Sequence, residues 1–235
     1  MEIKVLYEDE NILVVDKPSG IIVFPENNIE NKALIDKLLE RYPALKNVGA
    51  PPRYGIIHRL DKDTSGILLV AKNNETQAFI QGQFKQGKVI KKYLALVVGN
   101  IKESQGQIKT LIGRALKDRI KQQVYLTHQP SSENKRRAET NYKVIERFKD
   151  YTLLETVPKT GRKHQIRTHL AYLNHPIAGD KLYGFKSQPC PKGLKRQFLH
   201  ASYLKASFPR GDTKEFTSSL PNDLKLVLEN LKLII

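Results

Sequence analysis

The chain has 235 residues, enough for one substantial hydrophobic core, and its 40% hydrophobic and 27% charged residues are typical of a folded soluble protein. Lysine and arginine total 40 against 24 acidic residues, a net charge of +16, which favours a polyanionic partner such as nucleic acid. No apolar run approaches the ~20 residues of a membrane-spanning helix, and no targeting segment is legible, so we expect a cytoplasmic protein without a membrane partner. The single cysteine, Cys190, excludes an internal disulfide.

The first predicted elements are short. Runs of β-type residues predict three strands in an antiparallel meander, at residues 3–7, 12–16 and 21–24. The helical spacing of the leucines that follow predicts a helix over 33–42, which Pro43 ends.

In the middle and at the end of the chain, the predicted strands and helices do not alternate regularly. A polar stretch over 113–137, rich in lysine and arginine, indicates a basic surface insertion. The other predicted elements are strands at 67–71, 91–98, 142–146 and 152–157, helices at 75–86 and 163–173, and an amphipathic C-terminal helix with Leu224, Val227, Leu228 and Leu231 on one face. Strands outnumber helices without alternating with them, so we predict an α+β fold, a largely antiparallel mixed sheet with flanking helices, in a single domain over 1–235.

A charged, turn-prone loop around Asp61 comes directly before the buried strand predicted at 67–71. Loops held by a rigid sheet often carry catalytic groups. The acidic residues of this loop also match the first positions of a calcium-binding loop, but Lys72 stands where a bidentate glutamate is needed, which excludes calcium. The remaining alternative is that Asp61 or Asp63 caps a turn and forms a surface ion pair with Arg59 or Lys62, worth about 0–1 kcal/mol.

A second charged cluster lies about a hundred residues later. Two arginines, two histidines and a glutamine fall within residues 162–169, too many polar groups for a helix that only packs. Ile166 and Leu170 nevertheless indicate that one face of this helix is buried.

The two clusters carry a family resemblance. The segment HRLDKDTSG at 58–66 resembles the signature of the RluA family of pseudouridine synthases, and GRKHQIRTH at 161–169 resembles that family's second motif. Four further matches follow in the family's order, at 11–20, 91–95, 175–180 and 199–201. The resemblance implies a pseudouridine synthase-like fold with a central RNA-binding cleft and no metal or organic cofactor. Many relatives carry an S4-type RNA-binding domain before the catalytic one, but the first predicted strand here begins at Ile3, so we expect a catalytic domain without an S4 domain.

The resemblance also implies site residues. Asp61 is the expected nucleophile, Arg162 the arginine that pairs with it, and Tyr93 the tyrosine that stacks on the base and takes a proton. Aspartate is ionised at pH 7, so this nucleophile needs no activating base. Residue types leave open whether Asp61 attacks the sugar or the base or acts through a glycal.

Flipping a uridine out of folded RNA costs a few kcal/mol, which stacking and phosphate contacts must offset. Basic residues beside the expected site are the candidate phosphate contacts: Arg59, Lys62, Lys92, Arg167 and Lys181. The histidines lack the spacing of a metal site, and hydrogen bonds within the fold explain them better.

The expected activity is isomerisation of specific uridines in structured RNA by a monomer, with ribosomal RNA favoured over transfer RNA as the substrate. The alternatives are a synthase acting on transfer RNA, a non-catalytic RNA-binding or ribosome-assembly protein on the same fold, and a metal-dependent nuclease.

Overall fold

The computed structural model describes residues 3–25, 33–116, 118, 120–127, 132–209 and 211–233. The strands within these residues are β1 Lys4–Glu8, β2 Ile12–Lys17, β3 Ser65–Ala71, β4 Ile90–Val98, β5 Gln105–Arg114, β6 Gln122–Tyr125, β7 Arg136–Arg147, β8 Tyr151–Pro158, β9 Leu199–Ser207 and β10 Thr213–Thr217. The α-helices are α1 Leu34–Arg41, α2 Asn74–Lys85, α3 Gln165–Tyr172 and α4 Asn222–Lys232. None of these helices is long and apolar enough to cross a membrane.

The chain divides into two compact units. The first comprises Met1–Ile90 and Ala201–Ser219, and the second comprises Lys91–His200 and Leu220–Ile235. The prediction of a single domain stays a prediction.

The first unit is built on β2 and β3, which pair antiparallel from Ile12 opposite Ala71 to Lys17 opposite Gly66. Every residue of β3 is buried, which explains its continuous apolar sequence. β1 pairs with β2, and β10 pairs with β9, both antiparallel. Helix α2 contacts β3, and the Asn73 side chain caps its N-terminus by accepting a hydrogen bond from the backbone N–H of Thr76.

The second unit is an antiparallel sheet in the order β4-β8-β7-β5-β6. Its core joins β4 and β8 to the buried sides of two helices: Ile166 and Leu170 of α3, and Leu224 and Val227 of α4. The apolar spacing within each helix therefore faces this core, as the sequence predicts.

Most predicted elements are confirmed, but the strand predicted at 21–24 is wrong. These residues form a loop in which the carbonyls of Ile22 and Val23 accept hydrogen bonds from the backbone of Leu34 and Ile35 at the start of α1. Ile21, Val23 and Phe24 are buried in this loop, so their apolar character reflects burial rather than strand pairing.

Four strands are absent from the sequence prediction. β9 and β10 follow the last predicted strand, and β5 lies between the predicted strands at 91–98 and 142–146. β6 lies inside the segment 113–137, which also holds the end of β5 and the start of β7. Lys117 and Arg119 of that segment lie outside the described residues. The α+β prediction is nevertheless confirmed, because the described strands outnumber the helices and the strand pairings given above are antiparallel.

Candidate active site

The approach to Asp61 runs along β3 in the first unit. Ile56 bridges Val70, and the backbone N–H of Ala71 donates to the carbonyl of Gly55 over 2.8 Å. The Nε2 atom of His58 then accepts the backbone N–H of Leu69 at 3.1 Å. The His58 ring also stacks on Phe84, with centroids 4.9 Å apart. The chain therefore enters the Asp61 loop from a fixed direction.

A buried lysine fixes the loop on its other side. Lys17, at the end of β2, is fully buried, and its ammonium donates to three carbonyls: those of Pro18 and Ile21 at 2.8 Å and that of Lys62 at 3.0 Å. The backbone N–H of Gly20 donates to the same Lys62 carbonyl over 2.9 Å. The residue directly after Asp61 is thus held by two donors from the β2 loop. Sequence reasoning missed Lys17, although a lysine ending the buried run of β2 was a signal that it needed partners.

The exit from the loop is equally constrained. The backbone N–H of Thr64 donates to the Asp61 carbonyl at 3.1 Å, closing a turn. Gly66 follows with φ +116°, and a Cβ at this position would collide with the carbonyl of Ala201 in β9. Only glycine allows β3 to approach β9 so closely. The half-buried Asp61 side chain therefore projects from a backbone that is held before, at and after the residue.

Two of the predicted phosphate contacts flank Asp61 in the first unit. Arg59 and Lys62 are both exposed. The Arg59 guanidinium lies 5.2 Å from the ring centroid of Phe24, a cation–π contact that orients it.

Tyr93 lies in the second unit, on β4. It is half-buried and stands opposite Thr156 of β8. Lys91, two residues earlier, shares its face of the strand, because side chains alternate along a strand. Burial lowers the pKa of Lys91 to about 8. A Cβ at Gly161 would lie 4.0 Å from the Lys91 ammonium, so this cation adjoins the residue before Arg162.

Lys91 is a second basic residue that sequence reasoning missed. Its signal was the spacing of a lysine and a tyrosine two positions apart in a strand. The predicted contact Lys92 points to the other face of β4, where its ammonium pairs with Glu155 at 3.2 Å.

Arg162 lies in the loop before α3 and is half-buried. Its Nε donates to the carbonyl of Arg137 at 2.8 Å, and its backbone N–H donates to Oε1 of Gln165 at 3.0 Å. Burial, and then the neighbouring positive charge of Arg136, lower the pKa of Arg162. The guanidinium is therefore aimed by a backbone carbonyl beside a second arginine, an arrangement that suits an anionic ligand. Its pairing with Asp61 stays a prediction.

The two remaining predicted contacts differ in exposure. Lys181 is exposed, whereas Arg167 is 7% exposed and donates from both Nε and a terminal nitrogen to the buried carboxylate of Asp180, at 2.7 and 2.9 Å. This guanidinium is committed to an internal ion pair. The structure thus gives Arg167 no free surface for phosphate, and we do not carry that role forward.

Ring hydrogen bonds within the fold account for His169 and His175 of this unit. His169 is fully buried between the hydroxyls of Thr110 and Thr140, at 3.0 and 2.8 Å, and burial lowers its pKa to about 4. The Nδ1 atom of His175 lies 2.8 Å from the carbonyl of Val98. Across the part of the chain that the structure describes, no three His, Cys, Asp or Glu side chains form a group that could hold a metal ion.

The fold places the chain in a known class. A solved human structure, RNA Pseudouridylate Synthase Domain Containing 4, superposes with a TM-score of 0.78 at 25% identity, covering 97% of this chain and 93% of that one. The model of a family described as RNA pseudouridylate synthase matches residues 11–172, which include Asp61, Tyr93 and Arg162.

The chain therefore belongs to the RNA pseudouridylate synthase family, as its resemblance to RluA-type proteins implied. It is 39% identical to the ribosomal large subunit pseudouridine synthase D of Nitrosomonas europaea, over 98% of this chain and 65% of that protein. It is also 39% identical to an uncharacterized RNA pseudouridine synthase of Bacillus subtilis, over 99% of this chain and 74% of that protein. The chain thus spans about two thirds of the length of the first of these relatives and about three quarters of the second.

Proposed function

We propose that this chain isomerises specific uridines of large-subunit ribosomal RNA to pseudouridine, with the carboxylate of Asp61 as the nucleophile. The observation that carries the proposal is the fixation of the Asp61 loop by Lys17, His58 and the close approach of β3 to β9. An aspartate that only forms a surface ion pair does not need its loop to be fixed in this way. The choice of ribosomal RNA rests on the name of the Nitrosomonas europaea relative.

The reaction breaks the glycosidic C–N bond, turns the base and joins it to the sugar through carbon, without redox change. In this proposal an ionised Asp61 supplies the electron pair, Arg162 aims and stabilises the carboxylate, and Tyr93 stacks on the base and accepts the proton from carbon. The Lys91 ammonium, next to Gly161 and on the Tyr93 face of β4, adds positive charge on the side where RNA phosphate would lie.

RNA contacts come from basic side chains in both units. In the first unit these are the exposed Arg59 and Lys62, and in the second they are the exposed Lys181 and the half-buried Lys92. We add the basic ribbon, defined as the β5–β6 hairpin with the start of β7, whose described cations are Lys109, Arg114, Lys121, Lys135, Arg136 and Arg137. Arg162 donates a hydrogen bond to the carbonyl of Arg137, so the ribbon adjoins a proposed catalytic residue.

The test is release of tritium from RNA labelled at carbon 5 of uridine, with ribosomal RNA and transfer RNA as separate substrates. We expect wild-type protein to release tritium from ribosomal RNA, and Asp61→Asn to lower the rate by at least about 10³-fold while RNA affinity is retained. Asp150→Asn is the matched control, since Asp150 lies exposed in the turn between β7 and β8 and should keep full activity.

Each other outcome has a distinct meaning. Full activity of Asp61→Asn would refute the nucleophile, and activity on transfer RNA alone would refute the choice of substrate. RNA binding by wild type without tritium release would favour a binding protein on this fold. Chain cleavage that EDTA stops would indicate a nuclease.

A further inference from the structure

One phenol in the second unit touches both the basic ribbon and the loop that carries Arg162. We infer that Tyr183 is a positioning residue, whose hydroxyl holds the ribbon and the arginine loop, residues 160–164, in one arrangement. The inference rests on the proposed function in assigning RNA to the ribbon and catalysis to Arg162. The evidence consists of contacts on three sides of the Tyr183 ring.

On the ribbon side, the Tyr183 hydroxyl accepts the backbone N–H of Gln122 over 2.8 Å. Gln122 is the first residue of β6 and pairs with Arg114 of β5. A backbone donor cannot swing away as a side chain does, so this bond fixes the position of the strand itself. The end of the hairpin next to its connecting loop, where β6 begins, is therefore tied to Tyr183.

On the loop side, Nδ1 of His164 lies 2.8 Å from the same hydroxyl, and the two rings meet edge to face at 81°. His164 has a positive φ of 56° directly before α3, a conformation that L-residues rarely adopt. It lies two residues after Arg162, so its unusual backbone sets the path of the arginine loop into the helix. The bond to Tyr183 stabilises that path.

Beneath the ring lies the buried ion pair of Arg167 and Asp180. The Arg167 guanidinium stands 5.0 Å from the Tyr183 ring centroid. Asp180 Oδ1 accepts the backbone N–H groups of Leu182 and Tyr183, at 2.9 and 3.1 Å. Both the backbone and the ring of Tyr183 are thus anchored. The ion pair therefore positions Tyr183, a role that sequence reasoning did not assign. Burial raises the pKa of Tyr183, so the hydroxyl keeps its proton at neutral pH.

Two further hydrogen bonds join the arginine loop to β7: Arg162 Nε donates to the Arg137 carbonyl at 2.8 Å, and the Glu139 backbone N–H donates to Thr160 Oγ1 at 3.0 Å. With these links and the Tyr183 bonds intact, RNA bound to the ribbon is positioned relative to Arg162. Loss of the Tyr183 hydroxyl leaves the two bonds to β7 but removes its bond to β6, which loosens the arrangement without removing any RNA contact or reacting group. The rate of the chemical step should therefore fall more than RNA affinity does.

Tyr183→Phe tests this with the ring retained, and Tyr172→Phe, an exposed tyrosine at the end of α3, is the matched control. In single-turnover assays of the full chain we expect the rate of Tyr183→Phe to fall about tenfold, with less than a threefold change in Kd for RNA. His164→Asn removes the ring partner but tolerates the positive φ, and should give the same split between rate and Kd. Hydrogen exchange of free protein should rise together at residues 121–125 and 160–164 in both variants.

An unchanged rate in Tyr183→Phe, or a rise in exchange at one segment alone, overturns the inference even if the variant melts at a lower temperature. An equal loss in rate and in affinity also overturns it, since that would mean Tyr183 itself binds RNA. If instead the proposed function is wrong, wild type releases no tritium. The hydrogen-exchange experiment then still shows whether Tyr183 links the two segments. A variant of Tyr183 that does not fold leaves His164→Asn to decide.

Discussion

Replacing Lys17 by methionine tests how the Asp61 loop is held. Methionine matches the length of the lysine stem but carries no donor, so the change removes three hydrogen bonds, to the carbonyls of Pro18, Ile21 and Lys62. The Lys62 carbonyl keeps the backbone N–H of Gly20. The carbonyls of Pro18 and Ile21 lose a charged donor in a region where Lys17 itself is fully buried.

The expected magnitude follows from these contacts. A hydrogen bond from a charged donor contributes about 1.5–3 kcal/mol, so three of them outweigh the relief of removing a buried charge. We expect the free energy of unfolding to fall by about 3 kcal/mol, which lowers Tm by about 9 °C for a chain of this size. The catalytic rate should fall as well, because the residue after Asp61 is no longer fixed.

The assays are thermal unfolding and tritium release at a temperature where the variant is folded. Lys4→Met is the control, because Lys4 is an exposed lysine on the neighbouring strand β1 and should change neither quantity. If Lys17→Met kept the wild-type Tm and rate, the three hydrogen bonds would not hold the loop, and this account of Asp61 would fail.

Two further predictions concern cations of the second unit. Lys91 has a folded pKa of about 8 against 10.5 in the unfolded chain, so the unfolded state binds more protons between these values and stability should rise with pH across that window. Between pH 7 and pH 9.5 in urea unfolding, the stability of wild type should therefore rise by about 2 kcal/mol relative to that of Lys91→Met, and a pH-independent difference would contradict the lowered pKa. Arg136→Ala should weaken RNA binding and reduce the slope of log K against log salt by about 1, as expected for one phosphate contact. Lys149→Ala, in the turn beyond the far end of β7, should leave the slope unchanged, and equal slopes for Arg136→Ala and wild type would remove Arg136 from the RNA surface.

The sequence by itself determined the family and much of the framework. The motif around Asp61 and the cluster from Gly161 to His169 placed the chain among pseudouridine synthases, which the family match confirms. Buried strands such as β3 and amphipathic helices such as α4 were also predictable, because their hydrophobic period is local and depends only on which face meets a core. The predicted roles of Asp61, Tyr93 and Arg162 remain predictions.

Tertiary structure decided what each polar residue does. Arg167 looked like a phosphate contact because arginine in a basic motif beside a proposed catalytic residue favours RNA, but Asp180, thirteen positions later, binds it internally. No local pattern could name the distant partners of Lys17 and Tyr183, because these lie 45 and 61 residues away at Lys62 and Gln122. Residues 21–24 are apolar enough for a strand, but the carbonyls of Ile22 and Val23 accept backbone hydrogen bonds from the start of α1. Local periodicity fixes the faces of helices and strands, whereas the partner of a buried polar group depends on long-range packing that no window of sequence contains.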